Sequence, residues 1–444
     1  MRSAMKAYES WGRYPKSEPA QILPVSWSSE VPDFNQLSRP VLAYGKGRSY
    51  GDCCLNDGGV LLDTSGLDRF ILFDSEAGVL RCEAGVTLQT ILEVIVPANW
   101  FLPVTPGTQF VTIGGAIAND VHGKNHHRAG SFGCHLLRFE LLRSDKGRLL
   151  CSRESNRDLF EATIGGLGLT GLILWAEFQL KRVSGPWIDC EKFRFETLDE
   201  FFELSSSSDK DYEYTVAWLD CMSTGNKPRR GIFLRGNHST ISMKNSPGRP
   251  TSALTGFDAP EFLISRPTVR AFNWLYLLTQ GRSSKRSTIH FGTFFYPLDR
   301  IAGWNRFYGK RGFLQYQFLV PYERKEGVTE ILDLTAASRE VCTLSVLKVF
   351  GATQSPGWLS FPRPGVTLTL DFPFQGESTL LLCEQFDQVV RKLGGAVYPA
   401  KDARMSSESF RRYFPRWMEF SNFIDPCFGS DFWRRVATPR LLNQ

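Results

Sequence analysis

The sequence predicts an α+β protein with two domains, and three observations lead to this prediction. The chain has 444 residues, which is more than one hydrophobic core usually organises. Residues 41–184 contain short leucine-rich and β-branched runs separated by Gly, Asp and Ser turns, a pattern typical of strands with a few helices between them. Residues 185–395 alternate aromatic and polar residues, which indicates an antiparallel sheet with one face on a core and one open face.

The first of these regions can be divided into elements. Residues 1–35 are polar and dotted with prolines, so we expect a short helix and a lead-in there. Helix-like stretches follow at 88–96 and 156–166, and Asp145-Lys146-Gly147 marks a hairpin turn. The apolar run ATIGGLGLTGLILWA, residues 162–176, is too short to cross a membrane and too rich in glycine for a stable helix. It therefore predicts a buried strand with glycine bends.

The second region predicts three strands and a helix. Aromatic and polar residues alternate in residues 285–298, 311–323 and 364–374, which is the two-residue period of a strand. A helix at 378–393 then ends at the Gly394-Gly395 pair, because glycine commonly terminates helices.

These two patterns set the domain boundaries that we expect. Residues 396–444 are again helix-like and follow the glycine pair. We therefore assign 1–184 to one domain and 185–395 to a second domain. The segment 396–444 returns to the first domain and completes it.

Charge and cysteine content argue against several classes of protein. The net charge is +6 without a long run of Lys or Arg, which is unlike a nucleic-acid-binding protein. The ten cysteines lie in apolar contexts without CxxC pairs, which favours free thiols in a reducing compartment. No apolar signal-peptide core and no transmembrane span are visible, so we expect a cytoplasmic protein whose membrane contact would be peripheral.

The segment TIGGAIANDVHGKNHHRAGSFG, residues 112–133, combines five glycines with three of the six histidines of the chain. His122, His126 and His127 could bind a metal, but their spacing is not that of a zinc site and no set of carboxylates accompanies them. We therefore expect no metal. The other hypothesis is that the glycines let the backbone wrap a large planar ligand, which a few polar side chains then orient.

Two glycine-rich turns could bind a pyrophosphate. The first is GKGRSYGD at 45–52, and the second is TPGTQFVTIGG at 105–115. Backbone N–H groups of two such loops can hold both ends of a pyrophosphate. Spacing alone does not separate this hypothesis from ordinary turns between strands.

Taken together, these motifs resemble the FAD-binding domain of the vanillyl-alcohol oxidase family. ATIGGLGLTGLIL adds to the resemblance, and WNRFYGKRGFLQYQF, LKVFG, LSFPRPG, DFP and YPAKDAR extend it toward the C-terminus. Within the family, the chain resembles the branch that oxidises decaprenylphosphoryl-ribose. This resemblance is weakest over residues 185–290. The resemblance implies a two-domain fold of the vanillyl-alcohol oxidase type, with a PCMH-type FAD-binding domain and an antiparallel-sheet substrate domain.

The resemblance also implies which residues bind FAD. Residues 106–133 would wrap the pyrophosphate and the ring, and small residues there would let the backbone approach the cofactor, while His126 and His127 would support the loop. The cofactor-binding positions carried over are Gly45, Gly47, Arg48, Ser49, Tyr50, Gly51, Pro106, Gly107, Thr108, Thr112, Gly114, Gly115, Ala118, His122, Gly123, Ile173, Tyr398 and Ala400.

Position 48 bears on how the cofactor is held. Many members of the family have a histidine in this loop and tether FAD covalently through it, whereas this chain has Arg48. A guanidinium group is not a nucleophile toward the flavin, so we expect noncovalent FAD. Arg48 would instead offset the charge of the pyrophosphate.

The predicted catalytic residues are Lys401, His122, Gln317 and Gln315. The resemblance places Lys401 beside the flavin and the substrate hydroxyl, where it could stabilise developing negative charge. The two glutamines alternate on a strand, so their amides share one face and need polar partners such as sugar hydroxyls. The predicted substrate-binding residues are Lys124, Tyr50, Gln315, Gln317, Lys348, Thr367, Thr369 and Lys401.

Three positions depart from the family pattern. Mycobacterial members have a cysteine facing the flavin and an asparagine two residues before it, where this chain has Thr369 and Thr367. A serine on the substrate side is replaced by Val216. We expect these differences to bear on the substrate and to leave the flavin site intact.

The resemblance implies oxidation of the 2-hydroxyl of a polyprenyl-phospho-ribose to a 2-keto sugar. An NAD(P)H-dependent keto-sugar reductase would then complete epimerisation to arabinose, and the lipid tail would bring the protein to a membrane face. Two alternatives remain: a soluble alditol or aldonolactone oxidase on the same fold, and a flavin-binding partner protein without turnover. The sequence does not determine the electron acceptor or the oligomeric state.

Overall fold

Three main sheets and twelve α-helices form the part of the chain that the structure describes. This computed structural model describes residues 7–222, 229–240, 253–254, 258, 260, 263–280 and 285–437. The α+β class predicted from the sequence is confirmed.

The N-terminal region contains a parallel sheet and an antiparallel sheet. Its strands are β1 (Gln21–Pro24), β2 (Val41–Tyr44), β3 (Val60–Asp63), β4 (Phe70–Asp74), β5 (Val79–Glu83), β6 (Trp100–Phe101), β7 (Leu136–Arg143), β8 (Gly147–Ser152), β9 (Leu172–Gln179) and β10 (Lys181–Arg182). The parallel sheet has the order β1-β3-β2, and the antiparallel sheet has the order β4-β5-β9-β7-β8, while β6 pairs with β10. The hairpin predicted at 145–147 is the turn between β7 and β8.

Four helices accompany these strands: α1 (Leu88–Ile95), α2 (Ile113–Ala118), α3 (His126–Ala129) and α4 (Arg157–Thr163). Helix α1 shows why the predicted helices form. Thr87 accepts a hydrogen bond from the Thr90 amide at its N-terminus, and Leu88, Ile91 and Ile95 recur at helical spacing on its buried side.

The second region is built on one sheet of eight antiparallel strands. The strands from residue 185 onward are β11 (Trp187–Phe195), β12 (Tyr214–Leu219), β13 (Gly231–His238), β14 (Ala253–Leu254), β15 (Lys285–His290), β16 (Ile301–Ala302), β17 (Phe313–Val320), β18 (Leu344–Phe350), β19 (Gly365–Pro373) and β20 (Ala396–Val397). The sheet order is β15-β11-β13-β12-β18-β19-β17-β20, and β14 pairs with β16 beside it. The helices of this region are α5 (Leu198–Ser208), α6 (Arg266–Gln280), α7 (Phe291–Phe295), α8 (Glu326–Ala337) and α9 (Glu377–Lys392), and those of the C-terminal segment are α10 (Ser407–Tyr413), α11 (Trp417–Ser421) and α12 (Asp431–Ala437).

The two inner strands β17 and β19 are buried along their whole length. One face of β17 packs on α9, where the Tyr316 hydroxyl donates a 2.7 Å hydrogen bond to Asp387 Oδ1 and its ring lies 5.1 Å from that of Phe386. The other face turns Gln315 and Gln317 toward the first region. The prediction of an open sheet face is therefore wrong for these strands, because α9 covers the side that would have been open.

Three further local predictions need correction. Residues 291–295 form helix α7 and do not continue the strand, because His290 Nδ1 accepts a hydrogen bond from the Gly292 amide and starts a helix. Residues 7–35 contain strand β1 and short 3-10 turns where a short helix was predicted. In 162–176, strand β9 begins only at Leu172, because the preceding residues first end α4 and then form turns with positive φ at Gly165, Leu167 and Gly168.

The C-terminal segment joins both regions. Strand β20 extends the eight-stranded sheet, whereas α12 packs on the turn at Asp52–Cys54 of the first region. Arg435 holds this second contact, since its guanidinium lies 2.7 Å from Asp52 Oδ1 and 2.8 Å from Asp402 Oδ2. No helix in the described residues is both long enough and apolar enough to cross a bilayer.

We expect Arg435→Met to destabilise the protein by about 3 kcal/mol, because it leaves the buried carboxylates of Asp52 and Asp402 without their cation. Chemical denaturation followed by circular dichroism measures the change. The matched control is Arg412→Met, which removes an exposed pair with Glu408 and should cost less than about 1 kcal/mol. Equal midpoints for the two variants would contradict the role of Arg435.

Candidate functional site

A cavity of about 460 Å³ lies between the first region and the inner face of the large sheet. Its volume is in the range of small-molecule and cofactor sites. One wall is formed by the loops at 45–50 and 106–112 with α2, and the opposite wall by side chains of β17, β18 and β19. The turn at Tyr398–Lys401 closes its inner end.

The glycine-rich wall brings backbone close to the cavity. A Cβ at Gly45 would lie 2.5 Å from Thr112 Oγ1, so only glycine fits between the two loops. Gly47 has φ +59°, a conformation that favours glycine. Thr112 also caps α2, because its Oγ1 accepts from the Gly115 amide at 3.2 Å. A wall of this kind fits a large ligand that the backbone contacts directly.

Arg48 presents a buried cation to the cavity. Its guanidinium stacks 4.1 Å from the Trp11 ring, and its Nε has no hydrogen-bond partner among the described residues. Burial lowers the pKa of Arg48, and the nearby carboxylate of Asp299 offsets part of this shift. A buried donor without a partner is costly, so the site fits an anionic group such as a pyrophosphate.

The inner end of the cavity carries Lys401 and the residues behind it. Lys401 Nζ lies 3.5 Å from the centre of the Tyr50 ring, and the Tyr50 amide donates a 2.8 Å hydrogen bond to the Ala400 carbonyl. Behind them, Gln315 Nε2 donates to Asp371 Oδ1 at 2.6 Å. The loop at 45–51 is therefore fixed against the turn that carries the lysine.

Burial shifts the pKa values of Lys401 and Asp371. Burial lowers the pKa of Lys401 to about 7, and the negative charge of Asp371 opposes that shift. Burial raises the pKa of Asp371 to about 7 in turn, and Gln315 and Lys401 oppose that change. An amine that titrates near neutrality can accept or release a proton under physiological conditions.

His122 sits between two polar side chains of the large sheet. Its Nε2 lies 3.0 Å from the amide of Gln317, and its Nδ1 lies 3.3 Å from Lys348 Nζ. Burial, followed by the charge of Lys348, holds the pKa of His122 well below its usual value, so the ring is neutral. Since the amide nitrogen of Gln317 can only donate, His122 Nε2 accepts from it, and the ring proton lies on Nδ1, which faces Lys348 Nζ.

The structure brings most of the predicted site residues to this one cavity. The predicted cofactor-binding residues in its wall are Gly45, Gly47, Arg48, Ser49, Tyr50, Pro106, Gly107, Thr108, Thr112, Gly114, Gly115, Ala118, His122, Ile173, Tyr398 and Ala400. The predicted catalytic and substrate residues in its wall are Tyr50, His122, Gln315, Gln317, Lys348, Thr369 and Lys401.

Four predicted residues lie outside the cavity wall. Gly51 faces the Asp402 carbonyl, 1.7 Å from where its Cβ would be, and Gly123 faces Asn125 and Thr105 in the same way. Thr367 donates to the Phe318 carbonyl at 2.8 Å within the sheet. Lys124 turns its ammonium to the carbonyl of Phe294, with that ring 4.7 Å away.

The remaining histidines of the 112–133 segment do not line the cavity. His126 packs 4.3 Å from the Phe350 ring, and His127 Nε2 lies 3.1 Å from the Tyr212 carbonyl. No group of three or more His, Cys, Asp or Glu with metal-binding geometry occurs in the residues that the structure describes.

Sequence reasoning missed two acids at the site. Asp371 is an isolated acid at the end of the apolar run TLTLD, and this isolation could have identified it as a candidate site residue. Asp299 lies in residues 291–303, outside the motifs that carry the family resemblance. It lines the cavity, accepts from the Gln109 amide at 2.8 Å, and has a pKa that burial raises to about 6. Both acids reach the site through contacts between distant parts of the chain.

Comparison with known proteins agrees with this geometry. Residues 28–151 match the family described as FAD binding domain. A decaprenylphosphoryl-beta-D-ribose oxidase of Mycolicibacterium smegmatis is 36% identical over 416 residues, which are 90% of this chain and 89% of that protein. An uncharacterised protein of Streptomyces coelicolor, named for the mprA 5′ region, is 32% identical over 369 residues, 79% of this chain and 100% of that protein.

A more distant match covers a smaller part of the chain. The L-gulonolactone oxidase of Mus musculus is 28% identical over 146 residues, which are 32% of each chain. The wall of glycine backbone and the buried Arg48 fit FAD as the cofactor. The chain therefore belongs to the vanillyl-alcohol oxidase family of FAD-dependent oxidoreductases, together with decaprenylphosphoryl-beta-D-ribose oxidase.

Proposed function

We propose that the protein oxidises a secondary hydroxyl of a sugar, namely the 2-hydroxyl of a polyprenyl-phospho-ribose, to the 2-keto sugar. The observation that carries the reaction class is the buried amine of Lys401 at the inner end of the cavity, with a pKa near neutrality and Asp371 behind it. The name of the Mycolicibacterium relative supports the substrate. A separate NAD(P)H-dependent reductase would complete epimerisation to arabinose.

In this proposal, one region binds the cofactor and the other contacts the sugar. Residues 1–184 and 396–444 hold FAD, with the loops at 45–51 and 106–118 against the pyrophosphate and Arg48 offsetting its charge. Residues 185–395 supply the side chains that face the sugar. The chemistry that bound FAD supplies is acceptance of the hydride from the carbinol carbon.

Lys401 handles the proton in this proposal. As the hydride leaves the carbinol carbon, the hydroxyl proton passes to the neutral amine of Lys401, and the carbon–oxygen bond becomes a carbonyl. The resulting ammonium lies over the Tyr50 ring and near the negative charge of Asp371, and both stabilise it. The same positive charge lies at the inner end of the cavity, where it favours a negatively charged reduced cofactor.

Neutral polar groups orient the sugar. The amide of Gln317 and the hydroxyl of Thr369 face the cavity from neighbouring strands, and sugar hydroxyls can exchange hydrogen bonds with both. The pKa of Lys348 is lowered to about 7 by burial, so it gains a proton most readily when an anion such as the substrate phosphate approaches. His122 fixes the positions of Gln317 and Lys348 by contacting both.

The partial similarity to L-gulonolactone oxidase supports a second candidate function, which is a soluble alditol or aldonolactone oxidase.

We expect a short-chain polyprenyl-phospho-ribose to bleach the visible flavin absorbance of the purified protein without oxygen, with one keto sugar formed per flavin. Free alditols and aldonolactones serve as the comparison. Bleaching by these alone would favour the second candidate, and no bleaching by any sugar would favour a flavin-binding protein without turnover.

We expect acid precipitation to release yellow flavin into the supernatant, because Arg48 cannot form the covalent link that a histidine forms. Absorbance of the supernatant and flavin fluorescence on a denaturing gel measure the two fractions. A fluorescent protein band would show that another residue tethers the cofactor.

We expect Lys401→Ala to retain bound FAD and to slow flavin reduction by at least about a hundredfold, because it removes a preorganised group at the reacting centre. Lys401→Arg should restore little, since a guanidinium does not release its proton near neutrality. Anaerobic stopped-flow reduction with the sugar substrate measures both rates. Lys392→Ala, an exposed lysine on α9, is the matched control.

The pH dependence of reduction provides an independent readout of Lys401. Because burial lowers the pKa of this amine to about 7, the neutral form that accepts a proton increases as the pH rises through 7. The reduction rate of the parent should therefore rise with pH and level off above about 7. A parent-like rate or a parent-like pH profile in Lys401→Ala would remove Lys401 from the mechanism.

A further inference from the structure

Helix α6 exposes a broad apolar face to solvent. Phe272, Trp274, Leu275 and Leu278, which we call the α6 apolar face, have exposed fractions of 61, 57, 55 and 51%. At helical spacing these four side chains form one continuous stripe along the helix. A helix at a protein surface normally buries its apolar side chains, whereas α6 buries Leu277 and leaves these four exposed.

Polar and aromatic contacts on the opposite side fix this orientation. Asn273 is buried, and its Nδ2 donates a 2.8 Å hydrogen bond to Asp220 Oδ1 at the end of β12. Tyr276 packs edge-on against Trp218 with ring centres 4.9 Å apart. Arg266 donates to the Ala336 carbonyl at 3.3 Å. Rolling α6 to hide its apolar face would break these contacts, so the face stays exposed unless something covers it.

Helix α6 itself carries a net positive charge. Residues 266–280 contain two arginines and no acidic residue, and Arg270 is exposed at the edge of the apolar stripe. Four residues separate α6 from strand β15, so the exposed Lys285 lies within about 18 Å of the end of the helix, whereas Arg286 pairs with Glu191 at 2.6 Å. An apolar stripe of Trp, Phe and Leu with cations at its edge is typical of helices that lie in the surface of an anionic bilayer.

Helix α6 is also connected to the cavity. Ile264, just before the helix, packs into the apolar cluster of Trp304, Tyr308 and Phe313. Trp304 and Ile301 from this neighbourhood line the cavity. The segment that leads into α6 therefore contacts the cavity wall through one apolar cluster.

We propose that the α6 apolar face docks on the surface of an anionic lipid bilayer. A second copy of the chain fits this face less well, because a two-fold pair would bring Arg270 of each copy toward the same stripe and add repulsion between like charges. A bilayer offers both an apolar interior and anionic headgroups. Delivery of a lipid-linked sugar to the neighbouring cavity is a further consequence, and only that consequence rests on the proposed function.

The test is sedimentation of the holoprotein with vesicles. Vesicles of phosphatidylcholine with phosphatidylglycerol should bind the parent protein, and phosphatidylcholine alone should bind it more weakly. The double variant Trp274→Ser, Leu275→Ser should bind at least about tenfold more weakly, because it removes two large apolar side chains from the lipid contact. The matched control, Leu381→Ser with Met418→Ser, changes two apolar residues that are equally exposed elsewhere.

Folding and association are measured in the same preparations. Flavin content and circular dichroism of both variants should equal those of the parent, because the substituted side chains are exposed. Parent protein that stays in the supernatant, or a double variant that binds like the parent, overturns the proposal. A change of oligomeric state in the double variant without vesicle binding by the parent would assign the face to a second copy instead. The vesicles contain no sugar, so these outcomes are independent of the oxidation reaction.

Discussion

The site depends on the attachment of the glycine loop at 45–51 to the turn that carries Lys401. The Tyr50 amide bonds the Ala400 carbonyl at 2.8 Å, and Gly51 leaves no space for a Cβ against Asp402. Arg435 joins Asp52 and Asp402 on the far side of the same contact. Segments about 350 residues apart therefore form one rigid unit, and the lysine meets the Tyr50 ring because of it.

Burial sets the chemistry of this unit. Lys348 and Lys401 both have pKa values that desolvation lowers to about 7, and His122 is held neutral beside them. Side chains whose lowered pKa values allow the neutral form can bind sugar hydroxyls without the free-energy cost of a buried charge. The same desolvation makes Lys401 able to take up a proton, whereas the buried guanidinium of Arg48 fits an anionic ligand.

The two faces of the large sheet pack against different parts of the protein. Its inner strands bury one face against α9 and turn the other face, with Gln315 and Gln317, to the cavity. Helix α6 follows neither arrangement, because it buries Asn273 and Leu277 while four large apolar side chains meet solvent. The protein therefore carries a buried core, a polar interior site and an exposed apolar helix face.

The sequence by itself determined the features that depend on neighbours along the chain. The α+β class, the helices at 88–96, 156–166 and 378–393 and the turn at 145–147 follow from local periodicity and turn residues, and the structure confirms them. The glycine-rich loops were recognisable for the same reason. The alternation of Gln315 and Gln317 predicts a shared face because the period of a strand is two residues.

Only the tertiary structure decided what each side chain meets. Lys124 and Thr367 turn to carbonyls of Phe294 and Phe318 outside the cavity wall, and no local pattern distinguishes them from Lys348 and Thr369. Asp371 and its raised pKa depend on burial between strands and on Lys401, which lies far along the chain. Burial, desolvation and charge pairing are set by contacts between distant segments, and a reading of neighbouring residues does not contain them.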